Sequence, residues 1–257
     1  MSRKYSKLHF MKSGSPRSQE AYNILIEKYG SVSMEEADVV VTLGGDGFLL
    51  EVLHNYPDLE KPIFGMNRGT LGFLLNEFDS EHLLEKINEG TDVYLCPIRM
   101  EATDTEGNKQ QFLGYNEVSV IRYSAQSANL KIKVNGITAL EMLSCDGVLV
   151  STPAGSTAYN LSAHGPIIPL NSNLLALTPV SPFRPRRWKG ALLPNDSIVE
   201  IENLDPKKRP IGVAADSREA KNAVHIKVWQ DQSDKRHLLF DSASSLEDRI
   251  MYEQFSV

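Results

Sequence analysis

The chain has little of several things that would steer it toward particular classes. Its 257 residues include only two cysteines, Cys96 and Cys145. No C-x-x-C pair and no histidine at ligand spacing accompanies them, so they read as reduced structural thiols and not as a disulfide framework. The six histidines (His9, His54, His82, His164, His225 and His237) form no H-E-x-x-H motif and no cluster, which argues against protein-ligated zinc. No window approaches the ~18 consecutive apolar residues of a membrane span. The opening Met1 to Lys7 is followed by no apolar h-region of the kind a signal peptide needs. A cytoplasmic protein without a membrane partner is expected. A cationic surplus is missing as well: 27 Lys plus Arg face 33 Asp plus Glu, a formal charge of −6, which argues against nucleic acid as a partner. Internal repeats and low-complexity stretches are absent.

What is there suits an ordinary globular chain, with 41% hydrophobic and 23% charged residues. The length allows one large domain or two modest ones, each able to bury a core. The first hundred residues alternate strand-like and helix-like segments. Lys7 to Lys12 reads as a strand; after Gly14-Ser15-Pro16, Ala21, Ile24, Leu25 and Tyr29 recur at helical spacing, with Gly30 as a stop. The β-branched run from Ala37 to Leu43 precedes a glycine cluster and then Phe48, Leu49, Val52, Leu53 and Tyr56, again at helical spacing. A third strand begins at Pro62, and Ser80 to Gly90 reads as a helix with Ser80 as N-cap and Gly90 as C′. Such alternation predicts an α/β N-terminal domain with a parallel sheet covered by helices.

From about Leu95 the texture changes. Glu106-Gly107-Asn108 and Asn135-Gly136 are hairpin signals, and strands read at Val118 to Arg122, Leu130 to Val134, Gly147 to Ser151, Ser197 to Ile201, Val224 to Trp229 and His237 to Phe240. Nine of the 13 prolines follow residue 150, which suits turns and edges better than helices. A boundary near Cys96-Pro97 divides the chain into an α/β domain, 1–96, and an all-β C-terminal domain, 97–243. A closing helix over 244–257, with Leu246, Ile250 and Phe255 apolar, could pack back on the first domain.

The sharpest local feature is Gly44-Gly45-Asp46-Gly47, where a buried strand meets a helix. Free backbone N–H groups and the positive end of a helix dipole favour phosphate at such a place. Asp-Gly is also a hairpin turn, but the run Phe48 to Leu53 has apolar period 3.6 and not 2. The loop is neither a Walker loop nor the dinucleotide fingerprint. A carboxylate in an anion cradle repels phosphate, so Asp46 points to a metal ion or to a substrate hydroxyl, the second being the role an Asp takes in phosphoryl transfer to an alcohol. A second constellation, Thr152 to Ser162, combines small residues, the hydroxyls of Ser156 and Thr157, and the Tyr159 ring on which a base can stack. Taken alone it could equally be a capped helix N-terminus. Asp146, ahead of one strand, and Asn116-Glu117, at the start of another, are polar residues at strand ends, where capping residues are common.

Together these segments resemble the NAD kinase family. The matching phrases are G-G-D-G at Gly44 to Gly47, N-x-G-x-L-G-F-L at Asn67 to Leu74, the Asn116-Glu117 pair, and D-G-x-x-x-S-T-P-x-G-S-T-A-Y-x-x-S-A from Asp146 to Ala163. The long phrase is highly specific. The G-G-D-G loop alone is shared with diacylglycerol and sphingosine kinases and, more distantly, with phosphofructokinases.

The resemblance implies transfer of the terminal phosphate of ATP to the 2′-hydroxyl of the adenosine ribose of NAD, giving NADP, in a site between the domains. It implies Asp46 as general base, Gly47 beside it in the NAD site, and Gly45 helping the loop accept phosphate. Asn116 and Glu117 hold ribose hydroxyls; Thr157, Ala158 and Tyr159 hold and stack the adenine; Asn160, Leu161 and Ser162 complete that wall. Asp146 faces the nicotinamide half, often across a subunit contact in this family, and Ala154 lines the same pocket. Asp216 matches a family strand near the site. A divalent metal ion, Mg²⁺ by habit of the chemistry, rests mainly on nucleotide phosphates with no side-chain ligand assigned. A homodimer or homotetramer is implied. Two departures stand out: His164 occupies a position where the family commonly has glycine, and the basic segment Phe183 to Lys189 replaces the usual L-S-x-R-P phrase. Two other readings compete, a lipid kinase of the diacylglycerol type and a non-catalytic NAD-binding regulator on the same fold.

Overall fold

The structure, a computed structural model, describes residues 4–70 and 72–242. These form two compact units, the residues up to Leu95 together with the chain from Lys235, and Cys96 to Asp234. The expected closing helix over 244–257 lies outside the described residues.

The first unit opens with β1 (Leu8–Lys12), α1 (Pro16–Tyr29), β2 (Val39–Gly44), α2 (Asp46–Asn55), β3 (Ile63–Asn67), α3 (Leu83–Glu89) and β4 (Thr91–Leu95). Helix α1 begins as its sequence directs. Ser15 Oγ accepts from the Ser18 amide, Pro16 supplies the first helical residue, and Gly30 leaves the helix at φ +69°. Strands β1, β2 and β3 are parallel neighbours, and every residue of β2 is buried, as a central strand covered on both faces requires. The third helix is shorter than its sequence suggests. The Asp79 carboxylate, not Ser80, caps the turn, accepting from the Glu81 and His82 amides, and Gly90 is extended at φ −64°, so it is not a left-handed cap.

The second unit contains β5 (Ile98–Asp104), β6 (Lys109–Gly114), β7 (Glu117–Arg122), β8 (Ala128–Val134), β9 (Ile137–Cys145), β10 (Gly147–Ser151), α4 (Tyr159–Ser162), β11 (Leu174–Val180), β12 (Ala191–Pro194), β13 (Val199–Asn203), β14 (Ile211–Ala215), β15 (Arg218–Lys221) and β16 (Ala223–Gln230). Two six-stranded sheets result, in the orders β12-β11-β10-β7-β14-β15 and β6-β5-β16-β13-β8-β9. Their pairings are antiparallel throughout. Alternate residues of each sheet, among them Val118, Val120, Val148 and Val150 from one and Met100, Ile132, Ile201 and Ile226 from the other, share one core. The sheets therefore pack face to face as a sandwich. The Asn135-Gly136 turn joins β8 to β9 with both residues at positive φ, 51° and 77°, as a two-residue hairpin demands.

The strand β17 (Arg236–Phe240) corrects the expected second boundary at residue 243. It does not belong to the sandwich but lies between β3 and β4 in the first sheet, whose order is β1-β2-β3-β17-β4. The buried Asn76 amide explains the placement: it donates to Gly65 O and Leu239 O, and its oxygen accepts from the Asp241 amide. No helix among the described residues is long and apolar enough to cross a membrane.

Cys145 is 1% exposed in the sandwich core, and burial pushes its thiol up to about 12. Because the thiolate is the reactive form, iodoacetamide at mildly alkaline pH is expected to spare Cys145 in the native protein and to modify it after unfolding. Peptide mass spectrometry checks this; a carbamidomethylated Cys145 peptide from native protein would contradict it.

Candidate active site

In the first unit the chemistry-bearing loop is made where β2 ends. A Cβ on Gly44 would lie 2.8 Å from Phe48 Cβ, so only glycine lets α2 start this close to the strand. Gly45 and Gly47 differ: a Cβ on either meets nothing within 4 Å among the described residues, and neither has a positive φ. No packing among the described residues demands glycine there, and none of them fills the space above either. Asp46 is the first residue of α2. Its carboxylate accepts from the Phe73 amide (2.8 Å) and the Leu74 amide (3.1 Å). The segment from Asn67 is laid against the loop by Arg68 N–H donating to Gly44 O at 2.7 Å, and Gly72 is close enough that a Cβ would reach Asp46 Oδ1 at 3.3 Å. The two motifs of this unit are thus one assembly, and the backbone of the second orients the acid of the first.

The second unit builds a separate cluster. Strand β10 ends in Ser151, opposite Glu117 at the start of β7. Asn116 O accepts from the Thr152 amide at 2.9 Å, and Thr152 Oγ1 donates to Tyr115 O at 2.6 Å. Thr152 Oγ1 also accepts from the Gly155 amide at 3.1 Å. A Cβ on Gly155 would stand 2.1 Å from Asn116 O, so the 3₁₀ turn Ala154–Thr157 sits directly on the Asn116 backbone. Asn116 Oδ1 and Glu117 Oε2 are buried and without a hydrogen-bond partner among the described residues. Burial first, and the Asp216 charge second, push the Glu117 carboxyl up to about 7.

The sequence-predicted residues are therefore partly gathered and partly not. Asn116, Glu117, Ala154 and Thr157 belong to one cluster, with Asp216 joined to it through the backbone amides of residues 115 to 117. Ala158 is half-buried, Tyr159 is 38% exposed, Leu161 is half-buried and Ser162 is exposed. Asn160 corrects its expected role. It is fully buried, its amide donates to Ser156 O and Pro166 O, and its oxygen accepts from Thr178 Oγ1 at 2.6 Å. Its side chain braces the turn and does not line a wall. Asp146 is not gathered either. It pairs with Arg122 at the ends of β10 and β7 opposite to Ser151 and Glu117, roughly 17 Å from Ser151 at the usual strand rise, so within one chain it lies far from Ala154.

Thr152 and Gly155 were within the recognised phrase but carried no assigned role; only the close approach to Asn116 reveals one. His164 sits at φ +61°, the left-handed region, which explains why glycine suits this position. Its side chain is exposed. In the basic segment, Trp188 packs against the sandwich core while Arg184, Arg186 and Arg187 are exposed. Among the described residues no group of three or more His, Cys, Asp or Glu could hold a metal ion.

Residues 3–91 match the model of the ATP-NAD kinase N-terminal domain and residues 115–239 that of the C-terminal domain. The chain belongs to the NAD kinase family. It is 48% identical to the NAD kinase of Rhizobium meliloti (strain 1021) over the whole of both chains. It is 47% identical to that of Caulobacter vibrioides, over 98% of this chain and 96% of the relative. Among solved structures it shares the fold of a yeast NADH kinase complexed with NADH, at TM-score 0.82 and 20% identity over 99% of this chain and 88% of that one. An Archaeoglobus fulgidus NAD kinase in complex with ATP follows at TM-score 0.77 and 22% identity, covering 98% and 99%. The α/β unit with its parallel sheet and the all-β unit are thus the two halves of the NAD kinase fold.

Proposed function

We propose that this chain phosphorylates NAD at the 2′-hydroxyl of its adenosine ribose, with ATP as donor, and that Asp46 is the base. The observation that carries the assignment of Asp46 is its setting: a carboxylate oriented by two backbone amides at a helix start, beside two glycines that no described residue crowds. Asp46 takes the proton of the hydroxyl as its oxygen attacks the terminal phosphorus; the new O–P bond forms, the bond to the bridging oxygen breaks, and ADP leaves. Gly45 and Gly47 let phosphate and ribose approach the backbone. Among the described residues no group of three or more His, Cys, Asp or Glu could hold a metal ion; a Mg²⁺ ion carried by the nucleotide phosphates would neutralise charge on the transferred group.

In the second unit Asn116 and Glu117 take the ribose hydroxyls, and Thr157, Ala158 and the exposed Tyr159 ring take the adenine, with Leu161 and Ser162 at its rim. Asp146, distant from Ala154 within one chain, serves the site of a second copy in a homodimer or homotetramer. The enzyme works in the cytosol. Its activity is tested with ATP, Mg²⁺ and NAD, read by an NADP-specific dehydrogenase; NADP formation supports the reading, and binding of NAD without turnover refutes it. For the adenine, Tyr159→Ala is expected to weaken NAD binding by about 1–3 kcal/mol, the magnitude of base stacking on an aromatic side chain. An unchanged Kd would make the ring surface packing only.

A further inference from the structure

In the second unit a carboxylate on one strand end holds the turn that presents another. Asp216 follows β14 in the left-handed region, φ +49°. Its carboxylate accepts from the amides of Tyr115 (2.8 Å), Asn116 (2.9 Å) and Glu117 (3.4 Å), while its own amide donates to Glu117 O at 3.1 Å. This four-bond clamp fixes the backbone from which the Asn116 and Glu117 side chains project. Both side chains then carry a buried oxygen with no hydrogen-bond partner among the described residues, Asn116 Oδ1 and Glu117 Oε2. Buried polar atoms of folded proteins are nearly always paired, so two adjacent orphans mark a place for ligand polar atoms.

The surroundings fix what each orphan can offer. Strand β10 faces Glu117 with Ser151, and the segment that follows as far as Ala158 has no titratable group; Tyr159 beyond it is exposed. Strand β14 brings only Asp216 at its end, and Arg218, opposite Ala215, is exposed. On the adjoining backbone, Tyr115 is buried, and Lys109 at the far end of β6 is paired with Glu101. At the other end of β7, Arg122 is paired with Asp146. No cation faces the Glu117 carboxyl among these groups, while an acid does.

We infer that Glu117 reads the ribose as an uncharged acid, its Oε2 donating a hydrogen bond to a ribose oxygen, and that Asp216 is the positioning residue that holds it there. The inference rests on the NAD-site reading given above. An uncharged carboxyl donates and the neighbouring Asn116 Oδ1 only accepts, so the pair matches a diol, each hydroxyl of which can do both. Ionised, Glu117 would lose its donor and would set a negative charge against the 2′-phosphate of the product. The Glu117 carboxyl is raised to about 7. A ligand that needs its proton therefore binds fully below that point and is lost as pH rises through it.

The test is the Kd for NAD, which has no group of its own titrating near neutrality, measured by calorimetry between about pH 6 and 8.5 in buffers of different ionisation enthalpy. The expected Kd is flat on the acid side and climbs toward the limit of about tenfold per pH unit above neutrality, with about one proton taken up on binding at the alkaline end. Glu117→Gln, a permanent N–H donor, is expected to flatten the profile and abolish proton uptake, whatever its absolute affinity. Asp216→Asn is expected to move the midpoint to lower pH; a midpoint that stays in a folded variant removes Asp216 from the role. If that variant fails to fold, Glu117→Gln decides. A flat wild-type profile without proton uptake, or a Glu117→Gln enzyme that keeps the wild-type profile, overturns the inference even while NADP is formed. Failure to form NADP overturns the underlying reading instead.

Discussion

Asp46→Asn is expected to lower kcat for NADP formation by about 10² to 10⁴, the usual range for loss of a general base. The substitution keeps the shape of the side chain but changes what it presents to the Phe73 and Leu74 amides, which now donate to the two carboxylate oxygens. An asparagine can accept from one of these amides and must turn an N–H₂ toward the other. A cost to stability of about 1 kcal/mol is therefore expected alongside the kinetic effect. The two effects separate experimentally, since a defect of folding lowers the thermal midpoint and the active fraction, whereas a missing base lowers turnover of fully folded enzyme with the KM for NAD little changed. Steady-state kinetics beside a thermal unfolding curve checks both. Near-normal turnover in the folded variant would remove Asp46 from the mechanism.

Gly155→Ala is expected to destabilise the second unit by about 1–3 kcal/mol and to raise the KM for NAD with it. The new Cβ would lie 2.1 Å from Asn116 O and 2.4 Å from Asn116 C, backbone atoms that cannot swing aside as a flexible side chain would. Asn116 O is also the acceptor for the Thr152 amide, so moving it disturbs the turn from which Asn116 and Glu117 project. Gly45→Ala supplies the contrast. Its Cβ meets nothing within 4 Å among the described residues, so stability is expected to stay within about 0.5 kcal/mol of the parent and any loss to appear only in kinetics. Denaturant unfolding of the two variants checks the pair. Equal stabilities would mean that the close approach at Gly155 relaxes without cost and that its glycine serves only the ligand.

Much of the architecture is legible in the sequence alone. Helical spacing after a capped Ser15-Pro16, an unbroken β-branched run at Val39 to Val41, and Asn135-Gly136 between alternating segments each act over a few residues, where side-chain period and backbone sterics decide the outcome. The limit shows at α3. A Ser at position 80 looks like a cap, but the neighbouring Asp79 carboxylate takes the amides, because an ionised acceptor forms the stronger bonds. The site was legible as a set of phrases, since small residues, hydroxyls and an acid at a strand-to-helix junction carry their chemistry in their identity.

By itself, then, the sequence determined the local elements, the change from alternating strands and helices to strands and turns near residue 96, the family, and the residue types at the candidate site. Tertiary structure alone decided three things. It placed β17 in the first sheet through the buried Asn76 amide. It turned the Asn160 side chain from a ligand wall into an internal brace. It also brought Asp216 against Asn116 and Glu117, a hundred residues away along the chain. The reason is common to all three. Periodicity reports which face of an element is apolar, whereas hydrogen-bond partners and the loss of water around a carboxyl depend on what distant segments bring to the same point in space.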